Sequence, residues 1–236
     1  MSNRKIKNYD KIAKNYLAVV DEKPIHKYYE RPNLLSLVSE DLTGLAVLDV
    51  GCGSGWYAGE LLKRGAKVTA IDNCQEMLDH TRERYGDRVD IKFCDVEKSL
   101  DMFHSEQFDS IIAPLIIHYV EDWSHLFKEF SRILKKGGRI SFSTHQPQME
   151  AMLAKLDSYY HKQIMQDTWS DIGKVSWYHH TLSDLFNSLI CSGLMLEKVL
   201  EPLPNSELKA ADPIMYEKIS IYPWFIFIKA IKLAED

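Results

Sequence analysis

No stretch of this 236-residue chain reaches the ~18 consecutive apolar residues that a membrane-spanning helix requires, and its first residues, MSNRKIKNYDKIAKNYLAVV, are too polar for a secretion signal. A cytoplasmic location without membrane partners is the expectation. Cysteine is scarce, and Cys52, Cys74, Cys94 and Cys191 stand apart without CxxC spacing, which suits reduced, mostly buried thiols rather than a disulfide framework or a zinc centre. A basic excess is lacking as well. With 29 Lys and Arg against 34 Asp and Glu, the net charge is −5 and the cations are scattered, so no footprint for a phosphate backbone exists and nucleic acid is not an expected partner. Internal repeats, low-complexity tracts and linkers are also absent. What remains is an ordinary globular composition, 45% hydrophobic and 27% charged, of a length that fits one α/β domain over residues 1–236.

Between residues 46 and 145, short apolar runs alternate with longer segments of helical period, the pattern of a parallel sheet built from strand–helix–strand units. AVLDV (46–50), KVTAID (67–72), DIKFCD (90–95), FDSIIAPL (108–115) and RISFST (139–144) read as strands. WYAGELLKRG, CQEMLDHTRERYG and WSHLFKEFSRILKK read as the helices between them. Asn73 with Glu76 has the form of a capping box, and Gly137-Gly138 of a helix stop. Residues 8–42 read as two amphipathic helices available to cover a pocket. Residues 146–180, rich in Met, Tyr, Trp and His, break the rhythm and are expected to form an inserted helical cap. Thr181 and Asp184 then open a further helix, and LMLEKVLEPL and PWFIFIKAIKL read as closing strands.

The stretch VLDVGCGSGWYA places Gly51, Gly53 and Gly55 where the first strand meets a helix. Glycine there permits a tight turn and lets a ligand lie against bare backbone, and in an open parallel sheet ligands bind beyond the carboxyl ends of the strands. The order GxGxG followed by Trp56 departs from the dinucleotide fingerprint GxGxxG, and there is no GxxxxGK[ST] loop for a nucleoside triphosphate. Asp72 ends the second strand about twenty residues past Gly51, where a carboxylate can accept both hydroxyls of a ribose; Asp95 ends the third. Either acid alone could simply cap a helix. Together with the glycines, they point to a nucleoside lying across neighbouring strand tips.

The ordered set VLDVGCGSG, AIDNCQEML, FCDVE, FDSIIAPLIIHYVEDW and RILKKGGRISFSTH resembles the class I S-adenosylmethionine-dependent methyltransferases, and NYDKIAKNY is similar to that family's N-terminal segment. STHQP and EPLP…YPWFIFIKA resemble a bacterial small-molecule subgroup. The resemblance implies a Rossmann-like, seven-stranded, mostly parallel sheet with helices on both faces and an antiparallel last strand. It also implies S-adenosylmethionine as cofactor. Gly51, Gly53 and Gly55 would approach its methionine portion, and Asp49 would orient the ammonium group directly or through water. Asp72 would hold the ribose, while Asn73 and Met77 flank the adenine and Asp95 and Val96 close its far edge. Ala113 to Leu115 would sit beside the methyl group, with Tyr16 and Arg31 covering the cofactor.

A methyl on a sulfonium is already activated, so the chief task is to hold a nucleophile in line and exclude water. A general base is needed only for an acceptor that arrives protonated, and His118 and His145, after the fourth and fifth strands, are the candidates. No HxxxH or carboxylate–His spacing supports a metal site. Tyr28, Tyr159, Tyr160, Trp169, Trp177 and Tyr178 either line an acceptor pocket or fix the cap to the sheet. APLIIH lacks the Asn/Asp-Pro-Pro-aromatic signature of base-methylating relatives, which leaves a small organic acceptor, methylated at O, N or C by a monomer or homodimer. Two other readings stand beside this one: a cofactor-binding sensor without acceptor chemistry, and an aminopropyl-transferring relative, whose glycine loop would be more acidic than GCGSGW.

Overall fold

The computed structural model describes residues 12–169 and 172–233; residues 8–11 of the expected N-terminal cover and 170–171 of the expected cap lie outside them. A seven-stranded sheet forms the centre. Its strands are β1 (Ala46–Val50), β2 (Lys67–Asp72), β3 (Val89–Phe93), β4 (Phe108–Pro114), β5 (Leu134–His145), β8 (Leu194–Leu200) and β9 (Phe225–Lys232), in the order β3-β2-β1-β4-β5-β9-β8. β1 to β5 pair in parallel, and β9 runs antiparallel to both β5 and β8. The last strand is therefore antiparallel, and the strand order reverses beside β1.

Strand alternation sends successive side chains to opposite faces. From β1, Leu48 and Val50 enter one apolar layer and Val47 the other; from β9, Ile226, Ile228 and Ala230 take the first and Phe225 and Phe227 the second. The first layer packs under α5 (Trp123–Ile133) and α7 (Leu182–Cys191), through residues such as Phe127, Phe130 and Leu189. The second packs under α2 (Arg31–Leu35), α3 (Trp56–Lys63) and α4 (Gln75–Tyr85), with Leu34, Leu61 and Leu78 inside. Burying a parallel sheet on both faces in this way accounts for its nearly unbroken apolar strands. Among the described residues, no helix is long and apolar enough to cross a membrane.

The cover has three parts. α1 (Ala13–Val19) leads into a π-helical turn over His26–Glu30 and then α2. The inserted segment opens as expected with a helix, α6 (Pro147–Leu153), but continues as an antiparallel ribbon of β6 (Gln163–Trp169) and β7 (Gly173–His179). The reason for the departure is visible in its pattern: Met165, Val175 and Trp177 turn toward Ile12 and Ile172, a two-residue alternation that no helix could bury on one side. The third part, α8 (Ser206–Ala211) and α9 (Pro213–Ile221), has no counterpart in the sequence reading, although Asn205 and Asp212 cap them by accepting the Leu208 and Met215 amides.

Two local expectations are corrected. α4 has Cys74 at its N-cap without a side-chain cap, because Asp72 Oδ1 accepts the Cys74 amide at 2.9 Å and Asn73 is left to line a cavity. The Gly137-Gly138 pair lies inside β5 rather than at the end of α5. There the pairing with β4 jumps from Phe108–Leu134 to Ser110–Arg139, and Gly137, at φ 74°, absorbs the extra residues as a bulge. The box at Thr181 and Asp184 forms as read.

Gly55 begins α3 at φ 75°, and a Cβ there would meet Thr81 Oγ1 at 2.8 Å. Gly55→Ala is expected to lower the free energy of unfolding in urea by about 1–2 kcal/mol from the left-handed backbone alone. An unchanged midpoint would show that the turn does not need its glycine.

Candidate active site

The carboxyl ends of β1 to β5 open into a cavity of about 840 Å³, roofed by α1, the π-helical turn, α6 and the β6–β7 ribbon. Gly51 and Gly53, Asp72 and Asn73, Asp95 and Val96, Leu115 and His145 come to its wall from five successive strands, joined by Met77, Tyr16 and His118. The sheet thus gathers residues spread over more than half the chain, as the strand-order reversal beside β1 dictates.

The glycine turn is held from below. Gly51 and Cys52 donate their amides to the Ile71 carbonyl at 2.8 and 3.0 Å, and Gly53 donates to Asp72 Oδ2 at 3.0 Å. Asp72 therefore fixes the turn through one oxygen and the start of α4 through the other. Asp49 is buried beneath the same turn, and neither of its oxygens has a hydrogen bond of good geometry among the described residues, although the Ala58 amide favours its charged form. Burial first, and the neighbouring Asp72 charge second, push its carboxyl up to about 7. A buried polar atom without a partner marks a place built for something else. With positive φ at Gly51 and Gly53, and nothing nearer than 3.9 Å to a Cβ built on Gly53, the turn accepts a close ligand, and Asp49 offers that ligand a carboxylate or carboxyl.

Beyond β4, Leu115 adopts φ 46°, a left-handed conformation uncommon for a branched residue, and its amide is secured by Ser143 Oγ and the Ser143 carbonyl, each at 3.1 Å. His118 lies almost wholly buried with its ring stacked on His145, centroids 4.1 Å apart and 14° from parallel. Burial, reinforced by His145 and His180, holds the His118 pKa well below its ordinary value, so the ring stays neutral. His145 Nδ1 meets Glu150 Oε1 at 3.1 Å.

Four of the anticipated cofactor-site residues stand off the wall, the fully buried Ala113 of β4 among them. Asp49 and Gly55 lie behind it, and Arg31 is committed elsewhere: its guanidinium donates to the Asp21 carboxylate at 2.9 Å and lies 4.4 Å over the Trp56 ring. Asp21 in turn accepts Ser54 Oγ at 2.7 Å and Arg84 at 2.8 Å, which ties the cover to the glycine loop. A second tie is Glu30, fully enclosed, accepting Ser143 Oγ at 2.6 Å and the Tyr57 hydroxyl at 2.8 Å, with burial raising its pKa to about 7.

Of the aromatic set, Trp169 and Trp177 line the cavity. Tyr159 instead donates no wall: its hydroxyl accepts the Leu182 amide, while Tyr160 points to solvent and Tyr28 packs with the second apolar layer. His179 lies behind the wall against Glu150, and His180 stacks on Trp123. Ile25, His26, Met149, Met215, Trp224 and Phe225 also line the cavity without having been anticipated. No motif surrounds them, and only the aromatic YPWFIFIKA run hinted at one.

Comparison with known proteins agrees with this geometry. The methyltransferase-domain family profile matches residues 48–142. An uncharacterized protein of Haemophilus influenzae is 26% identical over 98% of this chain and 99% of its own. A ubiquinone biosynthesis O-methyltransferase of Pectobacterium atrosepticum is 30% identical over 74% of each chain. The crystal structure of an S-adenosylmethionine-dependent methyltransferase from Mesorhizobium loti superposes with a TM-score of 0.76 at 28% identity, covering 88% of this chain and 99% of that one. Several further curated relatives are matched over about half of their length or less. With the sheet order, the glycine turn and these likenesses in agreement, the chain belongs to the class I S-adenosylmethionine-dependent methyltransferases and is an enzyme that uses that cofactor.

Proposed function

We propose that the protein methylates an O, N or C atom of a small organic molecule, as a monomer or homodimer in the cytoplasm. The observation that carries this reading is Asp49, buried without a hydrogen bond of good geometry among the described residues, under a glycine turn whose far side opens onto an apolar and aromatic cavity. When bound, the cofactor supplies a methyl group already activated by its positive sulfur.

The chain's own residues supply position. The turn from Gly51 to Gly55 would receive the amino-acid portion, and Asp49 would meet its ammonium group directly or through water, a charge that would also offset the cost of ionising a buried carboxylate. Asp72 would accept the ribose hydroxyls, Asn73 and Met77 would flank the base, and Asp95 and Val96 would close its edge. Leu115 would stand beside the methyl and Tyr16 would close over it, while Arg31 would act through Asp21 by holding the cover down. His118 and His145 would border the acceptor. The apolar roof excludes water, so that effective concentration supplies much of the rate.

Incubation of the enzyme with S-adenosylmethionine and a metabolite panel is expected to release S-adenosylhomocysteine for at least one compound. Silence alongside tight cofactor binding would overturn the catalytic reading in favour of a binding protein. Asp72→Ala is expected to weaken S-adenosylhomocysteine binding by roughly 1–3 kcal/mol in isothermal titration; equal affinity would remove its role at the ribose.

Asp49 gives a test with opposite signs. Because its carboxyl is raised from 3.8 to about 7 in the fold, the unfolded chain ionises first and native stability falls as pH rises between those values. Asp49→Asn is expected to raise the melting temperature of the unliganded protein more at about pH 8 than at about pH 3.5, while weakening S-adenosylhomocysteine binding. A variant less stable at both pH values, with full affinity, would contradict both roles.

A further inference from the structure

Glu30 is costly to bury where it stands. It closes the π-helical turn with only 2% of its surface exposed, and burial raises its pKa to about 7 against the lowering pull of Ser143, Tyr57 and Arg31. An apolar side chain would fill the same space without that penalty. Its two oxygens are each committed to a hydroxyl, Oε1 accepting from Ser143 at 2.6 Å and Oε2 from Tyr57 at 2.8 Å.

Ser143 carries the contact onward. It is fully buried near the end of β5, and its Oγ, whose one proton goes to Glu30, receives the Leu115 amide at 3.1 Å. The Ser143 carbonyl receives the same amide at 3.1 Å. Leu115 needs both acceptors, because a branched residue at φ 46° is strained and keeps that conformation only where its surroundings over-determine it.

The direction of this peptide follows. The bond between Pro114 and Leu115 is trans, so its carbonyl and its N–H point opposite ways. With the N–H aimed at β5, the Pro114 carbonyl faces the other side of β4, where β1 lies. The pairing of β1 with β4 stops at Asp49 and Ile112, and Ile116 packs so closely on Gly51 that a Cβ there would meet it at 2.8 Å. The carbonyl therefore stands past the paired region, beside the glycine turn, where Pro114 and Gly51 both line the cavity.

Resting on the reading of the cofactor site above, we infer that Glu30 is a positioning residue for cofactor binding: through Ser143 it fixes the Pro114–Leu115 peptide, so that the Pro114 carbonyl meets the cofactor's ammonium group alongside Asp49. An ammonium group has three protons to place, and a carbonyl is a pure acceptor. Because Glu30 belongs to the cover, the peptide takes its set only when the π-helical turn is seated, so the N-terminal cover and the ammonium site form together. Tyr57 gives Glu30 its second hold on α3, the helix that the glycine turn opens. A tie that merely held the cover down would serve every ligand beneath it alike; this one serves the amino-acid portion.

Isothermal titration with S-adenosylhomocysteine and with methylthioadenosine, which keeps the nucleoside and the sulfur but lacks the amino-acid portion, separates the two roles. Glu30→Met is expected to weaken S-adenosylhomocysteine binding roughly tenfold and methylthioadenosine binding less than about twofold. Ser143→Ala, which removes a single oxygen, should weaken the first ligand roughly threefold and, added to Glu30→Met, should weaken it no further. Glu30→Gln keeps an oxygen for the Ser143 proton and is expected to restore both the wild-type affinity and the wild-type Leu115 amide signal in the nitrogen–proton NMR spectrum, a signal that the other variants shift. Should Glu30→Met fail to fold, Ser143→Ala and Glu30→Gln decide. Equal losses for the two ligands, an unchanged S-adenosylhomocysteine affinity in Ser143→Ala, additive losses, or a Glu30→Gln variant without wild-type affinity would overturn this inference. A wild type that binds neither ligand would instead defeat the reading beneath it.

Discussion

A carboxyl group buried away from water, without a hydrogen bond of good geometry among the described residues, sets the terms for this molecule. Asp49 ends up under the glycine turn because β1 lies in the middle of the five parallel strands and its residues are sealed by helices on either side. Folding alone does not satisfy it, and apolar packing at that position would be more stable. The rest of the site is arranged around this deficit: Asp72 holds the turn from the neighbouring strand, and the bare backbone of Gly53 leaves room beside it.

The cover is anchored by polar bonds rather than by apolar area alone. Glu30 reaches from the π-helical turn to Ser143 on β5 and Tyr57 on α3, and Asp21 joins Arg31, Ser54 and Arg84. π-Helical geometry is rare and concentrates at functional sites; here it turns His26 toward the cavity while Tyr29 and Glu30 stay buried beneath. Both anchors touch the strand ends or the glycine loop, so the roof and the floor of the cavity are mechanically coupled.

The opposite wall follows another logic. Its helix and ribbon contribute Met149, Leu153, Met165 and Trp177 to the cavity, and one buried carboxylate organises the polar groups among them. Three nitrogens on a single ionised group leave little freedom in ring orientation. Mobile methionines beside rigid aromatic rings give that wall a fixed frame with an adjustable lining.

The sheet and the glycine-turn side of the cavity were legible in the residues because their signals are local. Apolar runs of strand length, helices of 3.6 period and glycines after β1 each declare themselves within a dozen residues, and Asp72, Asp95 and His145 follow from strand ends. Asn205 and Asp212 with Pro213 also carried start signals for α8 and α9, in a stretch without a strong helical stripe. The ribbon in the cap, the bulge at Gly137 and the commitment of Arg31 to Asp21 were not legible, nor was the meeting of Glu150 with His145, His179 and Trp177. Each depends on which side chains are brought together across long stretches of chain, such as the 113 positions between Glu30 and Ser143. Periodicity fixes which face a residue occupies; only the packed register of strands and helices decides what stands opposite it.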